Sequence, residues 1–455
     1  LIAASRAWAS GDRGASEEAS ELRRQMIEAN HTRYFELIPL YHKVALDQGF
    51  GKKASFDAIG QHLMLDAGIF KSYEPDWLDA GDYAAMTEWL SSVFCHRINA
   101  DLSGIDSIDG WIERLHRYQI HVVYSSGTSG EFSFIPRTRQ NWQLARTANI
   151  ASLAPQILDL LATGINSRLL RSLVKSKVPE AMMELLGKRG LPEYHAAFLG
   201  FRQGRMGNQA LMEELAPFFS RCCFLYEVPV SGSGLRSLRR GSGTRREQEL
   251  ARHLHREVVE RKNHNYMRLI EFTRNSTRQG RKLLLFGAPY QFKEMLETMC
   301  EQNVSVPLNR GSLVLVGGGW KTFTGETVRR QSLVEMLAGR LGLEDDKILE
   351  GYSMTEINTL MLRCRNGRFH IPPVIEPVLM DSGLNPVAAR EGEGTFGFMD
   401  PLALDYPGFI VSSDQVLMVN SPCECGLTGP AVTRIGRLPG SEIKGCGGIM
   451  GSVGA

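Results

Sequence analysis

The 455-residue chain balances 52 Lys and Arg against 50 Asp and Glu, a formal net charge of +2, so no overall field draws it to nucleic acid or to an anionic membrane. Its length accommodates a large two-lobed domain or two to three ordinary ones, and its eight scattered cysteines do not form a disulfide framework, which suits a thiol-reducing cytoplasm. No apolar run reaches the roughly eighteen residues that a membrane helix needs, and a soluble protein without a membrane span is expected.

From about Ser16 to Arg97 apolar residues recur at helical spacing, as in Met26, Tyr34, Phe35, Leu37 and Ile38, and predict a helical N-terminal segment. Ile120 to Tyr124 then reads as a buried strand running into a Ser/Gly/Thr cluster. The same strand-then-glycine unit recurs at Lys282 to Phe286 before Gly287, at Leu313 to Val316 before Gly317, and more weakly at Ile348 to Glu350 before Gly351. Amphipathic stretches such as Thr327 to Leu341 lie between these strands, so a parallel-rich α/β sheet flanked by helices is expected, with ligands at strand C-termini. The Gly/Ser/Arg-rich segment from Ser231 to Arg261 predicts a mobile loop leading into a solvated helix, because it lacks aromatic residues to stack bases and is interrupted by Glu. After Glu391 short strands and Gly/Pro turns predict a small β-rich subdomain. The expected organisation is a helical segment over 1–115, an α/β core over 116–390, the β-rich subdomain over 391–438 and a hinge or tail over 439–455.

Four clusters have the chemistry of a binding site. Ser125, Ser126, Gly127, Thr128, Ser129 and Gly130 follow a strand with small residues, hydroxyls and free backbone N–H groups. Such a loop can cradle a polyphosphate, and it can equally be an ordinary Ser/Gly turn. Gly317, Gly318 and Gly319 end another strand and leave flat backbone against which a planar base can lie. Tyr352, Ser353, Thr355 and Glu356 offer an aromatic face, two hydroxyls and a carboxylate suited to a base, a phosphate and Mg²⁺; a core tyrosine and a helix-start glutamate are the plainer alternatives. Cys364, His370, Cys423 and Cys425 have the ligand types of a Cys₃His zinc site, although Cys-x-Cys is a tight spacing and two unrelated pairs would look the same. Gly287 to Tyr290 reads either as a wall of an acyl pocket or as a turn into a helix.

In order and spacing, the segments from Tyr124 to Lys444 resemble the adenylate-forming superfamily of acyl-CoA synthetases, peptide-synthetase adenylation domains and luciferases. The resemblance implies the large N-terminal domain of that fold, with ATP and Mg²⁺ as cofactors. Ser125 to Gly130 match its phosphate loop, Gly317 to Gly319 its adenine-side turn, and Tyr352 to Glu356 its Tyr-Gly-x-Thr-Glu element. It also implies that Asp414, in Ser412-Ser413-Asp414, holds the ribose hydroxyls, and that Arg437, in Gly436-Arg437, precedes the interdomain hinge. Gly317 to Lys321, Cys423 to Gly426 and Glu442 to Cys446 resemble the acyl-protein synthetases of the LuxE type. That branch implies activation of a fatty or other carboxylic acid as its adenylate, with transfer to a thiol: an own cysteine, of which Cys446 beside Lys444 is the candidate, a carrier or partner protein, or CoA. It also implies hetero-oligomers with other acyl-processing enzymes.

Two departures stand beside the resemblance. The phosphate loop reads Phe132-Ser133 where the family has Pro-Lys, leaving Arg137 as a nearby cation. The sequence also stops where superfamily members continue into a C-terminal lobe bearing a catalytic lysine, so that lobe is expected to be absent or truncated, with Lys321 and Lys444 as substitute cations. A fold that has lost turnover and serves as a binding subunit of an acyl-transfer complex is the competing expectation.

Overall fold

The computed structural model describes residues 1–12, 14–126, 131–149, 191–319, 327–388 and 391–437. Its strands are, in chain order, β1 (Leu65–Asp66), β2 (Ile120–Ser126), β3 (Phe132–Thr138), β4 (Leu191–Gln203), β5 (Phe219–Pro229), β6 (Lys282–Gly287) and β7 (Leu313–Gly317). They continue as β8 (Ile348–Tyr352), β9 (Met361–Leu362), β10 (Phe369–His370), β11 (Glu376–Met380), β12 (Gly392–Met399), β13 (Phe409–Val419) and β14 (Ala431–Arg437). The described residues divide into two compact units that are each discontinuous in sequence, one built from 1–124, 131–149 and 353–437 and the other from 125–126, 191–319 and 327–352. These differ from the contiguous segments expected above, because strands distant in sequence pair with one another.

In the second unit the strand order is β5-β4-β6-β7-β8 and every pairing is parallel. Strand–glycine units at 282–287, 313–317 and 348–352 therefore stand side by side, as the sequence predicts. Helices Lys262–Arg278, Pro289–Glu301 and Arg330–Leu341 link successive strands, and strands covered on both faces read as unbroken apolar runs: Leu283, Leu285, Leu313 and Val314 are fully buried. The fourth strand–glycine unit departs from that expectation, because β2 pairs with β3 in a two-stranded sheet. β4 and β5 went unread in the sequence; their Tyr, Phe, Ala and Cys runs are buried strand cores without a terminal glycine signal.

The Gly/Ser/Arg segment is not a mobile loop. Gly232–Arg240 is a helix whose first residues, Gly232 to Ser237, are buried, and the Gly234 N–H donates to the capping Ser231 Oγ at 3.0 Å. The small residues serve packing rather than mobility. A Cβ on Gly234 would sit 2.9 Å from Leu254 Cδ1 and 3.0 Å from the Leu250 carbonyl carbon, so the glycine lets the two helices approach. The second of them, Arg245–His255, is the expected solvated helix and starts at a Thr244/Glu247 capping box.

The first unit carries the β-rich region. Antiparallel strands run in the order β10-β14-β13-β12-β11, with β1 adding parallel to β13, so this sheet draws strands from before Glu391 and from the N-terminal segment. The long helix Ala15–Leu37 is pinned to the same unit by polar bonds. Arg23 pairs with Glu376 at 2.6 Å, both side chains under 8 % exposed, and Tyr34 donates to the Ala403 carbonyl. Removing either partner of such a buried pair leaves an uncompensated charge at a cost of about 3–5 kcal/mol.

Gly234→Val should overpack the junction between helices 232–240 and 245–255 and lower stability by about 1–3 kcal/mol. Urea denaturation measures it, and an unchanged midpoint would show that the two helices do not need the glycine.

Candidate functional site

Within the parallel sheet, Gly317 is the register partner of Gly351. The two glycine-turn segments singled out in the sequence thus leave neighbouring strands at the same C-terminal edge, where ligands of parallel sheets bind. Gly318 and Gly319 both adopt left-handed backbone, with φ of +90° and +63°, a conformation that glycine holds without strain. Tyr352 closes β8 and is 9 % exposed. Gly287 to Tyr290 is a strand-to-helix turn: the Ala288 N–H donates to Gln291 Oε1 at 2.8 Å, Pro289 opens the helix, and Tyr290 is buried in the core.

In the other unit, the chain from Ser353 to Thr359 is tied down by its backbone. Ser353 Oγ donates to the Thr359 carbonyl at 2.9 Å. Arg137, 3 % exposed, donates through Nη2 to the Thr355 carbonyl at 2.8 Å and to the Tyr406 hydroxyl at 2.9 Å, and through Nε to Asn358 Oδ1 at 3.1 Å. Its guanidinium also lies over the Tyr406 ring, 4.7 Å from the centroid. Tyr406 in turn donates to the Glu356 carbonyl at 3.1 Å, and burial holds its phenol neutral by raising its pKa. Arg137 therefore does point inward, but its donors are engaged by protein acceptors around Thr355 and Glu356. Ser133, standing where the family lysine would be, is a buried side chain of β3.

Thr355 and Glu356 are 8 % and 5 % exposed. Glu356 is largely covered, but among the described residues no hydrogen bond or ion pair holds its carboxylate, whose oxygens keep access to solvent and so to a cation. Behind the turn, the Asn358 and Leu402 N–H groups donate to the two oxygens of Asp400 at 2.7 and 2.9 Å. Burial nevertheless dominates and pushes the Asp400 carboxyl up to about 6, while those donors and Arg137 act the other way. Asp405 is a second buried acid, accepting from Thr138 N–H and Oγ1 at 2.7 and 2.6 Å. Sequence reasoning missed Asn358, Asp400, Asp405 and Tyr406, because only the fold brings these residues to the Thr355–Glu356 segment.

On the antiparallel sheet Asp414 is the register partner of Arg437, so these two sequence candidates are cross-strand neighbours. Asp414 is 7 % exposed, and its N–H donates to Ser412 Oγ at 3.1 Å. Of the phosphate-loop residues, Ser125 is buried at the end of β2 and Ser126 is its last residue. Gly127, Thr128, Ser129, Gly130, Lys321, Lys444 and Cys446 lie outside the described residues.

Cys364, His370, Cys423 and Cys425 converge, with one ligand atom from each lying within 4.8 Å of all the others. The Cys364 and Cys423 sulfurs are 3.8 Å apart, and Cys425 Sγ is 3.2 Å from His370 Nε2. A tetrahedral ion with Zn–S bonds of about 2.3 Å needs sulfurs about 3.8 Å apart, far beyond a disulfide bond. Burial holds the His370 pKa down at about 4, aided by Arg368, so its imidazole is neutral and able to ligate at physiological pH. Two of the ligands come from one loop, 423–425, and the others from β10 and the turn before it.

Residues 261–453 match the family model described as acyl-protein synthetase, LuxE. Across 92 % of its length the chain superposes on 2-hydroxyisobutyryl-CoA ligase in complex with 2-HIB-AMP and CoA, covering 68 % of that enzyme with a TM-score of 0.51 at 13 % identity. An open conformation of the same ligase gives a TM-score of 0.50, with 93 % and 77 % coverage at 13 % identity. The chain has the adenylate-forming fold, and its residues 261–453 are similar to LuxE. Among named relatives, the chain is 27 % identical over 174 residues to a long-chain-fatty-acid–luciferin-component ligase of Aliivibrio fischeri, matching 38 % of this chain and 46 % of that ligase. The ligase of the same name from Vibrio harveyi is 26 % identical over 169 residues, with 37 % and 44 % coverage. The chain thus spans about half the length of the curated relatives it matches. No described helix is long and apolar enough to cross a membrane.

Asp400 allows a pH test of the buried cluster. Its folded pKa of about 6 lies above the 3.8 of an ordinary aspartate, so its contribution to stability is complete below pH 3.8 and is lost as pH rises through 6. Urea denaturation of the parent chain and Asp400→Asn between pH 4 and 7.5 should show the parent losing up to about 3 kcal/mol relative to the variant; parallel curves would place the titration elsewhere.

Proposed function

We propose that the chain activates a carboxylic acid with ATP and Mg²⁺ as an acyl-adenylate and passes the acyl group to a thiol. The pairing of Gly317 with Gly351 carries this reading, because it aligns two backbone turns suited to a nucleotide at one sheet edge. In this reading Ser125 to Gly130 and Ser353 cradle phosphate, Gly317 to Gly319 and Tyr352 flank the base, Asp414 accepts the ribose hydroxyls, and Arg437 is a cation near phosphate. Thr355 donates to phosphate and the unpartnered Glu356 carboxylate holds Mg²⁺. Catalysis then consists of placing the acid in line with the α-phosphorus and offsetting negative charge. Lys444 and Lys321 are proposed cations for that charge. Cys446 is the proposed acyl acceptor on the chain itself, and the names of the relatives favour a fatty acid.

The test is acid-dependent ATP–pyrophosphate exchange across carboxylates from acetate to long chains. Exchange is expected with at least one acid, and Glu356→Gln should reduce it about 100-fold or more by removing a metal ligand. A folded chain that exchanges with none, yet binds an acyl-processing partner in calorimetry without responding to ATP, would establish the competing reading of a binding subunit, which the buried Ser133 favours.

We also propose that Cys364, His370, Cys423 and Cys425 hold a structural Zn²⁺ that fastens the 423–425 loop to β10. Elemental analysis of the purified protein should find about one zinc per chain. Cys423→Ser combined with Cys425→Ser should abolish it and lower the melting temperature; full stability without metal would overturn this assignment.

A further inference from the structure

We infer that Arg137 is a positioning residue that fixes the Thr355–Glu356 turn through its backbone, with Tyr406 as its relay. This rests on the proposed nucleotide and Mg²⁺ roles of Thr355 and Glu356, and it concerns how they are aimed.

The carbonyls of the successive residues Thr355 and Glu356 are the ones captured. Arg137 Nη2 takes that of Thr355 at 2.8 Å, and the Tyr406 hydroxyl takes that of Glu356 at 3.1 Å. The same Nη2 also donates to the Tyr406 oxygen at 2.9 Å, leaving the phenol's proton free for the Glu356 carbonyl. Nε meanwhile holds the Asn358 side chain at 3.1 Å, and the Asn358 N–H is anchored on Asp400 at 2.7 Å. Thr355 and Asn358 are thereby held directly by one planar cation, and Glu356 through Tyr406. With both carbonyls turned toward Arg137 and Tyr406, side-chain direction at 355 and 356 follows from backbone geometry.

An ammonium cannot reproduce this arrangement. Lysine keeps the charge but presents a point donor in place of a rigid fork, so it can reach one of these acceptors and not hold all three. The guanidinium also gains from the ring beneath it, which lowers the cost of burying a charge whose acceptors are mostly neutral. A cation placed only for the folding of this unit would need no such focus on the two carbonyls of one turn. Because displacement of a positioned group by about 1 Å can cost two orders of magnitude in rate, a loosened turn is expected to be felt in catalysis before it is felt in global stability.

The test uses Arg137→Lys and Tyr406→Phe in the full chain, with two readouts. Hydrogen–deuterium exchange reports the turn directly and needs no turnover: in both variants peptides covering 353–360 should exchange faster, while those covering β12 and β13 do not change. ATP–pyrophosphate exchange should fall about 10- to 100-fold in Arg137→Lys, with a several-fold rise in the Mg²⁺ concentration for half-maximal rate and a KM for the acid within about twofold of the parent. Unchanged protection over 353–360 overturns the inference, as does a loss in which the acid KM, Mg²⁺ requirement and melting temperature all shift together. A parent chain that exchanges with no acid removes the proposed function instead, and the protection data then decide the bracing by themselves.

Discussion

The register of two parallel strands governs the candidate site. Parallel pairing holds every strand pointing the same way, so the loops that follow β7 and β8 emerge at one edge, and the pairing of Gly317 with Gly351 sets them level. A shift of one residue would turn Val316 and Tyr352 to the opposite faces of the sheet. The buried run Leu313 to Val316 of β7 and the buried ends of β8, Ile348 and Tyr352, resist that shift. The glycines at the ends can then adopt the positive φ that brings bare backbone to the edge, at Gly318 and Gly319.

The other unit solves a different problem, which is to keep polar and charged groups fixed in a dry environment. Arg137, Asp400, Asp405 and Tyr406 are all nearly buried. Each is satisfied by named partners, several of them backbone groups of the segment that carries Thr355 and Glu356. Against that background the Glu356 carboxylate differs, since among the described residues no protein group holds it and its oxygens keep access to solvent. The Cys/His tetrad lies at the edge of the antiparallel sheet, where four ligand atoms from β10, the turn before it and the 423–425 loop converge.

Similarity to LuxE-type proteins and to 2-hydroxyisobutyryl-CoA ligase agrees with these features at different levels. At 13 % identity the structural superposition speaks for the fold. The LuxE match covers β6 onward, the part that contains Gly317 to Gly319, Tyr352 to Glu356, Asp414 and the Cys/His tetrad. β2, with the start of the Ser/Gly/Thr loop, and Arg137 lie before it.

What the sequence determined by itself was whatever depends on neighbours along the chain. Helical spacing revealed the N-terminal helices, and apolar runs ending in glycine marked β6, β7 and β8, because strand, turn and helix preferences are local. The residue types of the clusters at 317–319, 352–356 and 364–425 were legible for the same reason. Composition misled at Gly232–Arg240, where glycine and serine served a close helix contact rather than a loop, and that contact involves Leu250 and Leu254, which no local pattern identifies. Only the tertiary structure decided that β2 leaves the parallel sheet for β3, that Asp414 is the register partner of Arg437, and that Arg137 is committed to Thr355, Asn358 and Tyr406. Those outcomes depend on which groups meet after burial, and a buried guanidinium goes wherever enough acceptors converge, over separations of 218 to 269 residues here.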